Sequence, residues 1–338
     1  MDPLTHAVSG FSFALGLEPE VPRWAVLTAA GLSANAPDID FVARAFGARA
    51  YFSYHHGITH SFVVAALLGA GVAAIVGGFI GRSAIVKLLP LCVAGSVLHV
   101  VMDWITPWGG PLLWPATGRR LDVGVVGFFD VVLLVTILAG VLVAWRFPHM
   151  RRVAVIVSWG VVLLYLGARA LEMRAAARFV RSQVASGGAP APELDTYAPP
   201  LGVHYWSWCV VAADGEKLST YDVDTWNKTA ELRRTATAAS AEDLAKASGS
   251  KALPILTRQY DHIVVEKETR AGGGDEGDAG VEQWTWSSAA VVPGADYALS
   301  VVTAFAEDGE LVDDRLVVDI RGFYDTLIDL LWKSEGKR

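Results

Sequence analysis

Three histidines fall within six residues in Tyr54-His55-His56-Gly57-Ile58-Thr59-His60-Ser61. They stand at the entry to a long apolar stretch, where a bare imidazole is costly unless something uses it, and metal is the usual user. Matching residues recur through the first half of the chain: His6, Asp38 and Asp40 in Ala36-Pro37-Asp38-Ile39-Asp40, His99 with Asp103, and Asp130. His99 and Asp103 are four apart, which puts both on one helix face. Mixed imidazole and carboxylate donors suit zinc, with manganese or iron as alternatives. Each residue also has an ordinary reading. A single histidine in a helix bundle can hydrogen-bond a neighbouring helix. Two aspartates after a proline can form a capped turn, and His99 with Asp103 can staple two helices together. His55 and His56 are adjacent and point in different directions, so at most one of them is expected to ligate.

The elements that would bring these residues together are apolar helices. Of 338 residues, 53% are hydrophobic and 19% charged, with a positive mean hydropathy, which are membrane-protein values. Apolar residues concentrate before Met173, and the net charge of -7 arises mainly after it. Nothing is basic enough for a general nucleic-acid surface, so no nucleic-acid partner is expected. The two cysteines, Cys92 and Cys209, give no disulfide framework. The start Met1-Asp2-Pro3 lacks the basic region of a cleavable signal.

The apolar pattern predicts helices over residues 4–17 and 22–36, both short of the roughly 20 residues that cross a bilayer. A loop over 38–57 follows, then helices over 58–80, 83–105, 123–145 and 153–173. Asp2 with Pro3 caps the first helix and Asp122 the fifth. Alternating passes then place His6, the two aspartates after Pro37, the histidine cluster, His99 with Asp103, and Asp130 at one end of the bundle. His56 and His60 read as one helical turn apart at the start of the third helix, with His55 the member left out.

Taken together these motifs resemble a known family. His6, Pro37-Asp38-Ile39-Asp40, His56-Gly57-Ile58-Thr59-His60-Ser61 and His99…Asp103-Trp104-Ile105-Thr106-Pro107-Trp108-Gly109 are similar to the YdjM-type membrane-bound metal-dependent hydrolases, over about residues 1–175. That family is distantly related to zinc-dependent phospholipases C and single-strand nucleases, which bind clustered zinc ions through His and Asp, including a His-x-x-x-Asp helix pair. The resemblance implies that His99 and Asp103 are that pair, that His6, Asp40, His56 and His60 are further ligands, and that one to three divalent ions, zinc first, are bound. An Arg often precedes the Gly of the family's motif where this chain has His56.

After Arg174 the composition turns polar. A basic stalk carrying Arg174, Arg178 and Arg181 continues the sixth helix, and residues 186–200, rich in Gly, Ala and Pro, read as a linker. Strand-like runs cover 203–211, 255–267, 281–292, 297–304 and 311–320, with a short capped helix at 240–248, a Gly/Asp-rich loop at 270–280 and an amphipathic helix at 323–333. Trp206, Trp208, Trp284 and Trp286 read as core and membrane-edge anchors. The expected fold is thus a multi-pass α-helical membrane bundle of about six helices, residues 1–175. A stalk and linker, 176–200, lead to a small α+β, mainly antiparallel β, soluble domain, 201–338.

The expected function is hydrolysis of a phosphoester, such as a phospholipid headgroup, by metal-activated water in the cell (inner) membrane. Asp38 or Asp130 would orient the water or act as base. Arg119 and Arg120 would receive phosphate charge, unless they only mark membrane topology. Passes count the soluble domain onto the same side as the site, and the balance of basic residues does not decide which side that is. A non-catalytic metal-binding scaffold or transporter is the alternative. Transporter sites lie near the midplane on broken helices with inverted repeats, whereas these residues collect at one end.

Overall fold

A computed structural model describes residues 1–17, 20–184, 192–198, 205–259, 262–270, 281–288, 298–306 and 310–319. The chain forms two compact units, Met1–Arg174 with Tyr197–Tyr205, and Ala175–Thr196 with Trp206–Arg338.

The first unit is helical. Helix α1 (Pro3–Gly16) starts where the Asp2 carboxylate accepts the Thr5 amide at 2.9 Å, with Pro3 at its first position. Helix α2 (Arg23–Ser33) leads into a 3-10 stretch, Ala36–Phe46, and a short helix α3 (Ala48–Tyr54). A second 3-10 turn, Ile58–His60, precedes α4 (Phe62–Gly78). Helices α5 (Arg82–Trp104) and α6 (Val131–Arg146) follow, and α7 (Arg151–Val184) runs on past Arg174 into the second unit.

Two of these boundaries correct the sequence expectation. Helix α4 begins at Phe62, not residue 58, because the Ser61 hydroxyl accepts the Val64 amide and caps it. His56 adopts a left-handed backbone, φ 52°, so His55 to His60 form a turn and not the first turn of a helix. Helix α6 begins at Val131, capped by Asp130 and not by Asp122; residues 106–129 form a loop closed by the bridge Gly110–Leu121. These later starts leave α4 with 17 residues and α6 with 16. Among the described residues, only Arg82–Trp104 and Pro148–Val184 are each long and apolar enough to cross a membrane. A third candidate is the pair Ala48–His60 and Phe62–Gly78, which meet at 84°. The expected bundle of six becomes two such spans, or three if the bent pair is one.

Small residues let α4 approach α5 closely. A Cβ built on Gly69 would lie 2.4 Å from the carbonyl oxygen of Cys92. One apolar cluster joins Ala25, Val26, Ala29 and Ala30 of α2 to Ala73 and Val76 of α4 and to Leu88 and Cys92 of α5.

The second unit carries two antiparallel four-stranded sheets. The first orders β1 (Glu193–Tyr197), β2 (Ser207–Asp214), β3 (Lys217–Asp224) and β4 (Thr229–Thr237); the second orders β5 (Ile263–Arg270), β6 (Val281–Ser288), β7 (Ala298–Phe305) and β8 (Leu311–Asp319). Helix α8 (Ala241–Lys246), with a Ser240/Asp243 capping box, follows β4. Residues 253–259 form α9 (Leu253–Gln259) where a strand is predicted, because the Ser250 hydroxyl accepts the amides of Ala252 and Leu253 and starts a helix. Trp208, Trp284 and Trp286 are buried core, whereas Trp206 is exposed. The loop predicted at 270–280, apart from Arg270 at the end of β5, most of the predicted linker and the helix predicted at 323–333 lie outside the described residues.

Candidate metal centre

The end of α5 supplies the innermost pair. His99 and Asp103, one turn apart, are both buried. His99 Nδ1 lies 2.7 Å from the carbonyl oxygen of Ala34, just past α2. A carbonyl only accepts, so Nδ1 carries the proton and the neutral ring presents the Nε2 lone pair inward. That Nε2 is 3.1 Å from Asp103 Oδ2, 3.5 Å from Asp38 Oδ1 and 3.3 Å from His60 Nε2. His60 Nε2 is in turn 3.2 Å from Asp103 Oδ2 and 3.4 Å from Asp38 Oδ1. Ligands about 2.0–2.2 Å from one ion are about 3.3–3.6 Å from one another in a tetrahedral site, so these separations are close to those of donors around a shared ion, and the four ligand atoms all lie within 4.8 Å of one another. Asp38, His60, His99 and Asp103 could therefore hold a metal ion.

The polar atoms fit that reading. Asp103 Oδ2 is buried and accepts no hydrogen bond, although two imidazole nitrogens are within 3.2 Å. A buried, unsatisfied carboxylate oxygen is costly unless a cation answers it. The 3-10 stretch after Pro37 turns Asp38 and Asp40 inward. Burial works against ionisation of both, but the imidazoles of His60 and His99 beside Asp38, and of His55 and His60 beside Asp40, outweigh it and hold both carboxyls well below the usual range. They are charged acceptors at neutral pH.

Asp40 sits one layer out. Its Oδ2 accepts the Thr59 hydroxyl at 2.7 Å and lies 3.4 Å from His60 Nδ1, while Oδ1 lies 2.8 Å from His55 Nδ1. It therefore orients His60 from behind, as carboxylates do for metal-binding imidazoles. Asp40 also belongs to a second group, Asp38, Asp40 and His55, that could hold an ion. His55, the histidine expected to be dispensable, is thus built into the cluster. His56 Nδ1 lies 2.9 Å from the Gly109 carbonyl oxygen, which turns its Nε2 inward, 4.0 Å from Asp103 Oδ2. Gly109, at φ 45°, is sterically required there, since a Cβ would meet the Leu121 carbonyl oxygen at 2.1 Å. His6 stacks on His99 with ring centroids 3.7 Å apart, and its Nε2 is 3.2 Å from Asp103 Oδ1, which also takes the Met1 amino group.

Three further predicted residues are placed otherwise. Both Asp130 oxygens are occupied, by the Leu133 amide at 2.9 Å and the Tyr165 hydroxyl at 2.7 Å. Asp130 stands at the start of α6, where the helix expected over 123–145 would have carried it two turns in. Arg120 donates to the carbonyl oxygens of His56, Trp108 and Gly109, at 2.8, 2.6 and 3.3 Å. It clamps the loop that seats His56, and its neighbour Arg119 is exposed. Thr59, Trp108 and Gly109 complete the surroundings without having been singled out: Trp108 meets the His56 ring edge-on at 5.5 Å. Only their position inside the two histidine-bearing motifs pointed to them.

Fold and site together define a helical membrane protein with a buried His/Asp centre at the end of an apolar span. Residues 1–176 match the family described as YdjM inner membrane protein, and the chain belongs to that family. It is also similar to the uncharacterized protein YfhP of Bacillus subtilis (strain 168), 26% identical over 149 residues, which cover 42% of this chain and 45% of that protein. The match therefore spans less than half of either. No solved structure matches the chain.

Proposed function

We propose that the chain is a membrane-bound metal-dependent hydrolase that cleaves a phosphoester, with phospholipid headgroups as the substrate class and zinc as the metal. The observation that carries this reading is the convergence of Asp38 Oδ1, His60 Nε2, His99 Nε2 and the unsatisfied Asp103 Oδ2 at separations suited to a shared ion. These four would hold the ion, with His56 and His6 as flanking donors and Asp40 behind His60. A divalent ion there supplies Lewis acidity to a phosphoryl oxygen and lowers the pKa of a water.

The chain's own residues do the rest. His60 and His99 are held in one tautomer and orientation by Asp40 and the Ala34 carbonyl, so the donor set is formed in advance. Asp38 is the most exposed of the four, at 18% of its side chain, so water and substrate approach on the Asp38 side. Arg119, exposed in the neighbouring loop, receives phosphate charge; Arg120 is committed to carbonyls. Asp130 caps α6 and takes no part in proton transfer.

The test is metal analysis of the purified full chain beside Asp103→Asn, with a panel of phosphoesters and phospholipids run on both. Zinc bound by the parent, lost in the variant, and turnover only by the parent is the expected result. Equal metal in both overturns the ligand assignment. Metal with no turnover on any substrate favours a non-catalytic scaffold.

A further inference from the structure

The segment that carries Asp38, Asp40 and His55 has an outer face that the centre does not use. Between the inward aspartates and beyond them, Ile39, Phe41, Val42 and Phe46 are exposed, Val42 at 65% and Phe46 at 80%. Tyr54 and Ile58 continue the exposed face. Val63 and Leu67 are exposed on α4. So much outward apolar surface on one short stretch is expected where a membrane or partner covers it.

Geometry gives the direction of that surface. Helix α4 packs along α5 through Gly69 and Gly77, and α5 is a membrane-span candidate. Helix α4 therefore stands with the span, and the segment Ala48–His60 meets it at 84°. A segment perpendicular to a span lies in the plane of the bilayer, and the Ala36–Phe46 stretch packs on it, Phe41 meeting Tyr51 edge-on with ring centroids 5.6 Å apart. It also lies at the end of that span, since it contacts the centre formed by His99 and Asp103. The charges agree. Apart from the inward Asp38 and Asp40, residues 36–58 contain no acid, while Arg44 and Arg49 are exposed. Arg44 stands over the Phe41 ring at 5.8 Å, an apolar body with a cationic rim. Apolar residues with flanking arginines are the composition of helices that rest at the headgroup–acyl boundary of anionic membranes.

We infer that residues 36–58 are an interfacial segment lying in the headgroup layer, with its carboxylates and His55 on the metal centre and its apolar face in lipid. The inference deepens the hydrolase reading: the Asp38 side of the centre opens at the level of lipid phosphates, so the substrate is an amphiphile taken from the bilayer. Its partner is the anionic lipid surface, in preference to another protein.

The test uses the full chain carrying Cys209→Ser, with a nitroxide attached at Val42→Cys or Phe46→Cys, in vesicles of phosphatidylcholine and phosphatidylglycerol. Cys92 is fully buried and can stay. Both labelled positions are exposed, so folding is not at risk, and two positions guard against a local effect. Reference labels go at Leu67→Cys on α4 and at exposed Glu216→Cys in the second unit. Collisions with oxygen and with a water-soluble nickel chelate are read by electron paramagnetic resonance. The expected result is chelate collision several-fold below the Glu216→Cys label and oxygen collision close to the Leu67→Cys label. Chelate collision equal to the Glu216→Cys label puts the segment in water and overturns the inference. Shielding from both reagents with an immobilised label marks a protein partner or a second copy, and overturns it as well. Neither metal nor turnover enters the readout, so a failed hydrolase assay leaves this result standing, and the reverse holds too.

Discussion

His99 Nε2 and Asp103 Oδ2 face each other across 3.1 Å at the end of α5, yet Asp103 Oδ2 accepts no hydrogen bond. The proton of a neutral His99 ring is committed to the Ala34 carbonyl, so what meets the carboxylate is a lone pair. Two electron-rich donors that close in a buried place could share a cation, and His60 and Asp38 approach the same point.

That relationship makes metal content the first prediction. His99→Ala and Asp103→Asn each lower zinc affinity by more than about 100-fold, since loss of even an outer partner of a ligand costs roughly 10–100-fold. Chelator competition on purified protein measures it. An affinity unchanged in both variants would sink the centre.

Outer support is predicted to matter less. Asp40→Asn leaves the fold and one proton-accepting oxygen in place, but weakens the hold on His60, His55 and Thr59. Zinc affinity is expected to fall about 10–100-fold. Thr59→Val removes one hydroxyl donor to Asp40 and falls by less. If Thr59→Val proves the more damaging of the two, Asp40 is not the orienting group.

Much of this centre was legible in the residues, and the reason is cost. His and Asp in apolar sequence are expensive alone, so His6, Asp38, Asp40, His60, His99 and Asp103 stood out, and the structure brings them into one cluster. Helix starts were not legible from hydropathy. Apolar residues run through 123–130 as they do through α6, and only the cap at Asp130 separates loop from helix. The same is true of Ser61 before α4. In the second unit, β4 went unseen because it is largely polar and exposed, and β3 because its apolar residues Leu218, Tyr221 and Val223 do not keep a regular two-residue spacing. Arg169 hides its role in the same way. It falls within the helix predicted over 153–173, where nothing singles it out, but it is buried and donates to the carbonyl oxygens of Val125 and Tyr205.

Arg120 tests whether the loop over the centre is held by geometry or by charge alone. Its fork reaches three carbonyl oxygens, which a lysine ammonium cannot span. Arg120→Lys is expected to cost about 1–3 kcal/mol in unfolding and to lower zinc affinity modestly through His56. Thermal melts with and without added zinc separate the two effects. A variant that melts like the parent shows that the clamp carries no stability.

Helix packing gives an independent prediction. Gly69→Ala pushes a methyl onto the backbone of Cys92, where no flexible side chain can yield. A loss of about 1–3 kcal/mol is expected, as for overpacked cores. Gly71→Ala, which meets nothing within 4 Å, serves as the control and should be neutral or slightly stabilising. Equal melting of the two would mean that α4 and α5 do not pack through Gly69.

The acid limb of metal binding follows from the carboxylates. Asp38 and Asp40 have folded pKa values depressed below the unfolded value of about 4, so their charge is fully present above that pH. It is lost only as pH falls further, through the depressed values. Near neutrality the group that changes is the imidazole, whose unperturbed pKa is about 6.5, and a proton on Nε2 competes directly with the metal. Zinc content is therefore expected to fall as the buffer is taken from neutrality towards about pH 5. Elemental analysis after equilibration at each pH, with circular dichroism to confirm the fold, measures it. Zinc retained unchanged to about pH 4 would mean that carboxylates alone hold the ion and that His60 and His99 are not its ligands.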